Sequence, residues 1–245
     1  MRKSSIDQDI LYEDNHLIIL NKRPSDIVQG DKTGDIPLSE VLKSYIKNKY
    51  NKPGEVFLGV VHRLDRPVSG ALIFARTSKA LSRLNIMLRD GEITKTYWAI
   101  VKNKPPKPED HLTQYLTRNE EKNKSFVHEN PVAGSQKAEL IYNVIGQSDI
   151  YHLLEVNLLT GRHHQIRAQL AALGCPVKGD LKYGYPRSNP GGSIHLHARM
   201  IEFTHPVKKE LIRVTANPPE DKLWDYFCST LPTPASPCVY EGGCG

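Results

Sequence analysis

The sequence has 245 residues, of which 39% are hydrophobic and 24% charged, and its formal net charge is +6. This composition is typical of a globular protein and excludes disordered, collagen-like and membrane-embedded chains. No apolar run approaches the roughly 18 residues that a membrane-spanning helix needs, and acidic residues stand where a signal peptide would be apolar. We therefore expect a cytoplasmic protein with no membrane partner.

The excess positive charge is confined to one part of the chain. Residues 160–213 contain nine Lys or Arg against three acids, while the rest of the sequence is balanced. Five of the ten histidines lie in the same stretch. This local bias favours a polyanionic partner, the alternative being a solvated basic face that binds nothing.

In chain order, short apolar runs bounded by turn residues alternate with a few helical patterns. Amphipathic spacing predicts helices that begin near Ser39, after Thr77-Ser78 and at Thr160-Gly161, the last of which stops at Gly174. Runs rich in β-branched and aromatic residues predict the strands. These strands cover residues 17–22, 56–62, 71–75, 96–101, 138–145, 151–159, 196–203 and 211–216.

The predicted strands outnumber the helices, which are scattered among them without a regular βαβ alternation. This arrangement predicts an α+β fold built on a mostly antiparallel mixed sheet. We expect one catalytic domain over residues 1–228. Residues 229–245 are rich in Pro, Gly, Ser and Thr, which predicts a flexible C-terminal tail.

A carboxylate between two arginines is the first candidate for chemistry. Asp65 lies in the predicted loop between two buried strands, with Arg63 and Arg66 close by. Neighbouring guanidinium groups favour an ionised carboxylate, which can act as a nucleophile, a base or an electrostatic stabiliser. The alternative is an Asp that begins the turn before Pro67 and has its charge satisfied locally.

The passage from the strand at 151–159 to the following helix is the second candidate. Arg162, His163, Gln165 and Arg167 gather polar donors near the predicted helix N-terminus, which suits an anion. Alternatively, Gln165 and Arg167 satisfy buried backbone or carboxylate groups. Tyr97, on the strand at 96–101, can stack on a base, assist proton transfer or simply pack in the core.

A metal site is not expected. His163 and His164, with the later pair His195 and His197, lack the spacing of a known ligand frame. The four cysteines form no CxxC pair, so neither structural zinc nor a disulfide framework is predicted.

Several motifs resemble those of the RluA family of RNA pseudouridine synthases. Residues 62–77 (HRLDRPVSGALIFART) closely resemble the family signature, and residues 95–101 (KTYWAIV) are similar to its tyrosine-bearing strand. Residues 158–184 and 196–206 resemble the later motifs. The motifs follow the family's order, and the resemblance spans residues 10–216.

The resemblance implies the pseudouridine synthase catalytic fold and an enzyme that converts specific uridines of rRNA or tRNA to pseudouridine. It assigns Asp65 as the catalytic aspartate, which either attacks the nucleoside or promotes elimination, with Tyr97 contacting the base and Arg167 orienting Asp65. A buried uridine must be flipped out of its stack at a cost of a few kcal/mol, and Arg63 corresponds to the residue that fills the gap. The residues expected to bind RNA are Arg63, His62, Arg66, Arg162, His163, Gln165 and Lys178.

An isomerisation needs no cofactor, so we expect none. We also expect no obligate protein partner, and we take a monomer as the default oligomeric state. The sequence departs from the family at residues 21–26, which read NKRPSD where relatives carry Lys-Pro-x-Gly, and it leaves no room for an N-terminal S4 domain. Two alternatives are a glycosidic-bond hydrolase, which needs a second carboxylate near Asp65, and a catalytically silent RNA-binding protein.

Overall fold

A computed structural model describes residues 5–30 and 34–231. The described strands are β1 (Ile10–Glu13), β2 (Leu17–Lys22), β3 (Gly59–Val60), β4 (Ser69–Ala75), β5 (Thr94–Val101), β6 (Glu109–Asn119), β7 (Lys124–His128), β8 (Gln136–Gln147), β9 (His152–Leu158), β10 (Leu196–Thr204) and β11 (Leu211–Thr215). The described helices are α1 (Leu38–Lys49), α2 (Ser78–Arg89), α3 (Gln165–Ala172) and α4 (Lys222–Thr230). Most of the predicted tail, residues 232–245, lies outside the described residues.

The described strands form a single sheet. Its order is β1-β2-β4-β10-β5-β9-β8-β6-β7, with β3 also paired to β4 and β11 to β10. Apart from the short parallel contact between β4 and β10, the described strand pairs are antiparallel. The α+β fold with a mostly antiparallel mixed sheet is therefore confirmed.

The parallel contact at the centre of the sheet requires a glycine. Gly70 has a φ of +119°, and a Cβ atom there would lie 2.3 Å from the carbonyl oxygen of Ala198. Ala198 pairs with Gly70 on one side and with Tyr97 on the other. This close approach brings the loop before β4, which contains Asp65, next to the strand that carries Tyr97.

The central strands are buried on both faces. On β4, Leu72 and Phe74 pack on the face covered by α1 and α3, whereas Ile73 packs on the opposite face under α2. The helix α4 covers that second face further along, where Trp224 meets residues of β5 and β9. Because each face is covered, side chains placed at the strand ends have rigid supports.

Most predicted elements are present, and three differences are informative. The strand predicted over 56–62 is only two residues long: β3 pairs with the last two residues of β4, on the edge whose first two residues pair with β10. The hairpin of β6 and β7 was not predicted, since its sequence mixes polar and apolar residues without a clear period. The helix α4 was not predicted either, although Asp221 caps it and Trp224 and Phe227 form a buried face. In the described part of the chain no helix is long and apolar enough to cross a bilayer.

The helix predicted to begin at Thr160-Gly161 begins at Gln165 instead. The hydroxyl of Thr160 donates to Gln165 Oε1 over 2.7 Å, and the backbone N–H of Arg162 donates to the same oxygen over 3.0 Å. These bonds close a turn over residues 160–164 in place of a first helical turn. The end at Gly174, whose φ is +82°, is as predicted.

Candidate active site

The loop that presents Asp65 is held by backbone contacts. The N–H of Val68 donates to the Asp65 carbonyl over 3.0 Å, which closes a turn around Pro67. The buried ammonium of Lys22 donates to the carbonyls of Arg66 and Val68 over 3.1 and 2.6 Å, and burial lowers the pKa of Lys22 to about 7. Thus Lys22, which belongs to the altered N-terminal motif, fixes the conformation of the loop that contains Asp65.

Arg167 joins two carboxylates at the floor of the site. Its Nη1 lies 2.8 Å from Asp65 Oδ2, and its Nε and Nη2 lie 2.6 and 2.9 Å from the two oxygens of Asp180. Arg167 is 4% exposed and Asp180 is 1% exposed. Burial alone would lower the pKa of Arg167, but its hydrogen bonds to Asp180 and the charge of Asp65 raise it. The guanidinium is thus permanently charged and fixed in orientation.

The partner of Asp65 therefore differs from the neighbours that the sequence suggested. Arg66 forms its ion pair with Asp35, and Arg63 points to the cavity without an acidic partner among the described residues. Arg167 reaches Asp65 across 102 positions of sequence. The pairing implied by the family resemblance is the one that the structure shows.

A second donor approaches the same carboxylate oxygen. His164 Nε2 lies 3.5 Å from Asp65 Oδ2, and His164 Nδ1 lies 3.0 Å from the hydroxyl of Tyr183. Burial, helped by the charge of Arg167, lowers the pKa of His164 to about 3 despite the opposing effect of Asp65. The ring is therefore neutral at physiological pH.

Tyr97 lines the same cavity as Asp65 and is 6% exposed. Burial and the nearby charge of Asp65 raise its pKa. The phenol therefore keeps its proton at neutral pH, so that it can contact a base or donate a hydrogen bond but cannot act as a standing phenolate.

These groups lie in an open cavity of about 970 Å³, at the upper end of the range usual for ligand sites. Six of the lining side chains are cationic and one is acidic. They are Arg63, Arg89, Lys95, Arg118, Arg162 and Arg167, against Asp65. The cations of this cavity attract a polyanion and so bring it next to Asp65.

The structure brings most of the predicted site residues to this cavity. Its lining includes Asp65, Tyr97, Arg167, Arg63, His62, Arg162, His163 and Gln165. Two others lie elsewhere: Arg66 is outside the lining, as is Lys178, whose ammonium donates to Asn189 over 2.8 Å. The geometry gives no support to the predicted RNA contacts of these two residues.

Three cavity residues that were predicted to bind RNA have other partners within the protein. Gln165 is 2% exposed, and its amide nitrogen donates to the Glu139 carbonyl over 3.0 Å. His163 contacts Ser125 and Asn123 through its two ring nitrogens. His62 Nε2 accepts from the Ile73 N–H over 3.2 Å, and burial lowers the pKa of His62 to about 3. These groups shape the wall, and neutral His62 supplies no charge for a phosphate.

The basic stretch at residues 160–213 does not form the cationic surface that its composition predicted. Of its nine basic residues, only Arg162 and Arg167 line the cavity. Others form ion pairs away from it, such as Lys208 with Asp14 and Arg213 with Glu202. The remaining cavity cations, Arg63, Arg89, Lys95 and Arg118, come from four other segments of the chain.

Four functional candidates were not predicted, although three of them, Lys95, Asp180 and Tyr183, lie inside the motifs at residues 95–101 and 158–184. Lys95 precedes Tyr97 by two residues on β5, so the strand period places both on one face, and burial lowers the pKa of Lys95. Arg118 belongs to the unpredicted hairpin. Asp180 and Tyr183 follow α3 in an irregular segment, where no periodicity indicates that their side chains turn back to the site.

The histidines considered for metal binding are separated by the fold. His195 contacts Asn189 and Asp221, and His197 contacts Ser69 and a backbone carbonyl. In the described ranges they do not meet His163 and His164.

Comparison with known proteins agrees with this geometry. The sequence profile of the family described as RNA pseudouridylate synthase matches residues 16–172. A Synechocystis protein named as an uncharacterized RNA pseudouridine synthase is 30% identical over 235 residues, which are 93% of this chain and 71% of that protein. Ribosomal large subunit pseudouridine synthase C of Vibrio vulnificus is 31% identical over 213 residues, which are 84% of this chain and 64% of that protein.

The fold also matches a solved structure. Human RNA pseudouridylate synthase domain containing 4 superposes with a TM-score of 0.78 at 22% identity, covering 94% of this chain and 96% of that one. The chain therefore belongs to the RNA pseudouridine synthases, which are isomerases, and its motifs and relatives place it in the RluA family.

Proposed function

We propose that this protein converts specific uridines of structured RNA to pseudouridine, with Asp65 as the catalytic aspartate. The observation that carries the proposal is the arrangement of Asp65 itself. One oxygen of this carboxylate is bound by Arg167, and the residue lines a cavity whose other charged groups are all cationic. Such a site attracts a phosphate backbone and presents the Asp65 carboxylate to the bound nucleotide.

The reaction needs only groups that this chain supplies. The C1′–N1 bond of the nucleoside breaks and a C1′–C5 bond forms, while C5 loses a proton and N1 gains one. Asp65 either bonds covalently to the nucleoside or promotes elimination of the base. Both routes require an oriented carboxylate, and Arg167 fixes the orientation of Asp65.

The other roles follow from burial and charge. Tyr97, protonated and nearly buried, contacts the flipped base. Arg63 is exposed at the cavity and fills the space that the extruded nucleotide leaves in the RNA stack. Arg118 and Arg162, both exposed on the cavity lining, contact phosphates.

The RNA is of the ribosomal or transfer class. The name of the Vibrio relative, ribosomal large subunit pseudouridine synthase C, supports testing large-subunit ribosomal RNA first. Recognition of structured RNA depends on loop shape and splayed bases, so the target is a stem-loop or a bulge rather than a continuous duplex.

The test is release of tritium from RNA labelled at uridine C5, because each isomerisation frees that hydrogen. We expect release by the wild type and none above background by Asp65→Ala, whereas Asp65→Asn retains RNA binding. Asp149→Ala is the matched control, since Asp149 is an exposed aspartate outside the cavity. Near wild-type turnover by Asp65→Ala would overturn the assignment.

The alternative is a catalytically silent RNA-binding protein with the same fold. It predicts salt-dependent RNA binding by the wild type without tritium release from either ribosomal or transfer RNA. The presence of Asp65, Arg167 and Tyr97 at one cavity favours the enzyme, because RNA binding alone requires no buried ion pair beneath the cavity.

A further inference from the structure

Two side-chain nitrogens lie within 3.5 Å of the Asp65 carboxylate, and both approach Oδ2. Arg167 Nη1 lies 2.8 Å from this oxygen and His164 Nε2 lies 3.5 Å from it. No hydrogen bond to Oδ1 is made by the described residues. The carboxylate is thus held by one oxygen, which leaves the other for the substrate.

The contacts of Tyr183 determine which nitrogen of His164 carries the proton. The Tyr183 oxygen accepts a hydrogen bond from the backbone N–H of Ser125 over 2.8 Å. Its own O–H, kept protonated because burial raises the pKa of Tyr183, is then available to donate to His164 Nδ1 at 3.0 Å. A neutral imidazole that accepts at Nδ1 is protonated at Nε2, which is the nitrogen that faces Asp65.

The surroundings of His164 hold its ring in this position. The ring stacks on that of His163 at a centroid distance of 3.8 Å and meets Tyr183 edge-on at 5.6 Å. The His164 backbone has a φ of 52°, in the left-handed region that few residues other than glycine adopt. Residues kept in such conformations cluster at functional sites, where their surroundings impose them.

We propose that Tyr183 and His164 are positioning residues for the catalytic carboxylate. Tyr183 donates to Nδ1 and thereby supports the His164 tautomer with its N–H on Nε2, and this N–H acts with Arg167 to hold Asp65 Oδ2 so that Oδ1 faces the uridine. In the other tautomer an Nε2 lone pair would face the carboxylate and repel it. This inference rests on the proposed function of Asp65.

The first test reads the tautomer without any enzyme assay. The ¹⁵N shifts of the imidazole in histidine-labelled protein report which nitrogen is protonated, and the His164 signal is assigned by its loss in His164→Gln. We expect Nε2–H in the wild type and, in Tyr183→Phe, a downfield shift of the unprotonated Nδ1, because that nitrogen loses its hydrogen-bond donor. Tyr185→Phe is the control, because Tyr185 is similarly buried in the same segment but bonds to Tyr151 and not to His164. A wild-type ring protonated on Nδ1, or an Nδ1 shift unchanged in Tyr183→Phe, would contradict the proposal.

The second test separates positioning from RNA binding. Misplacing a reacting group by about 1 Å can cost about 100-fold in rate. We expect Tyr183→Phe to lower the single-turnover rate of tritium release by about 10-fold or more, with the Kd for RNA within twofold of wild type. Gln at position 164 can place an amide N–H near the original Nε2–H, so His164→Gln is expected to retain more activity than His164→Leu.

Thermal unfolding of each variant identifies a loss that comes from misfolding, and Tyr183→Phe keeps the ring that packs on Arg167. A Tyr183→Phe rate equal to wild type, a loss due only to weaker RNA binding, or equal rates for His164→Gln and His164→Leu would each overturn the positioning role. An inactive wild type would instead overturn the proposed function and the catalytic consequence with it, while the tautomer would still be readable.

Discussion

The charged groups of the cavity are paired differently in two regions. The floor consists of Arg167, Asp65 and Asp180, and the rim of Arg63, Arg89 and Arg118. On the floor, Arg167 is 4% exposed and shared between Asp65 and Asp180. On the rim, Arg63 and Arg118 are exposed and have no acidic partner within the described ranges. Buried charges require fixed partners, whereas exposed side chains can reorient to contact a phosphate when RNA binds. From this difference we expect the floor to serve the proposed catalysis and the rim to supply RNA affinity.

This division has a measurable form. Changes on the floor should lower the rate of the bound complex and the stability of the fold, with little effect on RNA affinity. Changes on the rim should weaken RNA binding and reduce its salt dependence, with little effect on the rate once RNA is bound.

Removing the shared guanidinium should have the largest effect. Arg167→Leu leaves two carboxylates without their cation, and breaking a buried pair costs about 3–5 kcal/mol of stability. We expect this loss in urea unfolding, together with loss of tritium release at saturating RNA. Arg162→Leu is the comparison, because Arg162 lines the same cavity but is exposed. Equal stability of the two variants would contradict a floor built on paired buried charges.

Lys22 provides the next largest effect and a dependence on pH. Lys22→Met leaves the carbonyls of Arg66 and Val68 without their donor, which should cost about 2–6 kcal/mol at roughly 1–3 kcal/mol for each buried group. Because burial lowers the pKa of Lys22 to about 7, the unfolded chain binds a proton between pH 7 and about 10 that the folded chain does not. Lys22 therefore makes wild-type stability increase across this range.

The difference in unfolding free energy between wild type and Lys22→Met measures that contribution, since other titrating groups are common to both. We expect the difference to change between pH 7 and pH 10 in favour of the wild type. Lys47→Met, at an exposed lysine of α1, should show no such trend. A pH-independent difference would show that Lys22 has an ordinary pKa in the folded protein.

The loop that carries Asp65 could be predicted from neighbouring residues in the sequence, but the contacts that join Asp65, Arg167 and Asp180 could not. The Asp65 loop stands between two apolar runs and contains Pro67, so chain-neighbour rules place it correctly. The link from Arg167 to Asp65 came from the family resemblance, because periodicity shows only that Arg167 flanks an apolar helix face. Asp180 had no local signal, since a carboxylate in an irregular segment is buried only when a distant cation meets it.

The rim was harder to predict than the floor, for a physical reason. Counting charge along the chain located the excess at residues 160–213, but β10 and β11 lead much of that stretch away from the cavity. Arg118 reaches the rim from the hairpin of β6 and β7, which carries no clear hydrophobic period. Net charge predicts the class of partner, whereas only the fold determines which cations share a surface.

Arg118→Ala tests the rim against the basic stretch. An exposed cation that contacts one phosphate contributes about one unit to the salt slope of binding. We expect several-fold weaker RNA binding at 100 mM salt, a slope smaller by about one, and an unchanged single-turnover rate. Arg187→Ala removes an exposed arginine of the basic stretch that lies outside the cavity, and it should leave the Kd within twofold. A larger loss of RNA affinity in Arg187→Ala than in Arg118→Ala would instead support the basic stretch at residues 160–213 as the RNA-binding surface.

Arg89 should give the smallest effect, although it lines the same rim. Its Nε lies 2.8 Å from Asp90 Oδ1, and its Nη2 lies 3.3 Å from Asp90 Oδ2. The adjacent carboxylate cancels most of the charge that a phosphate would encounter, so Arg89→Ala should change RNA binding less than twofold. Asp90→Ala should strengthen binding, because it releases Arg89 to act as Arg118 does. If Arg89→Ala weakens binding as much as Arg118→Ala, the absence of an acidic partner is not what distinguishes the effective cations of the rim.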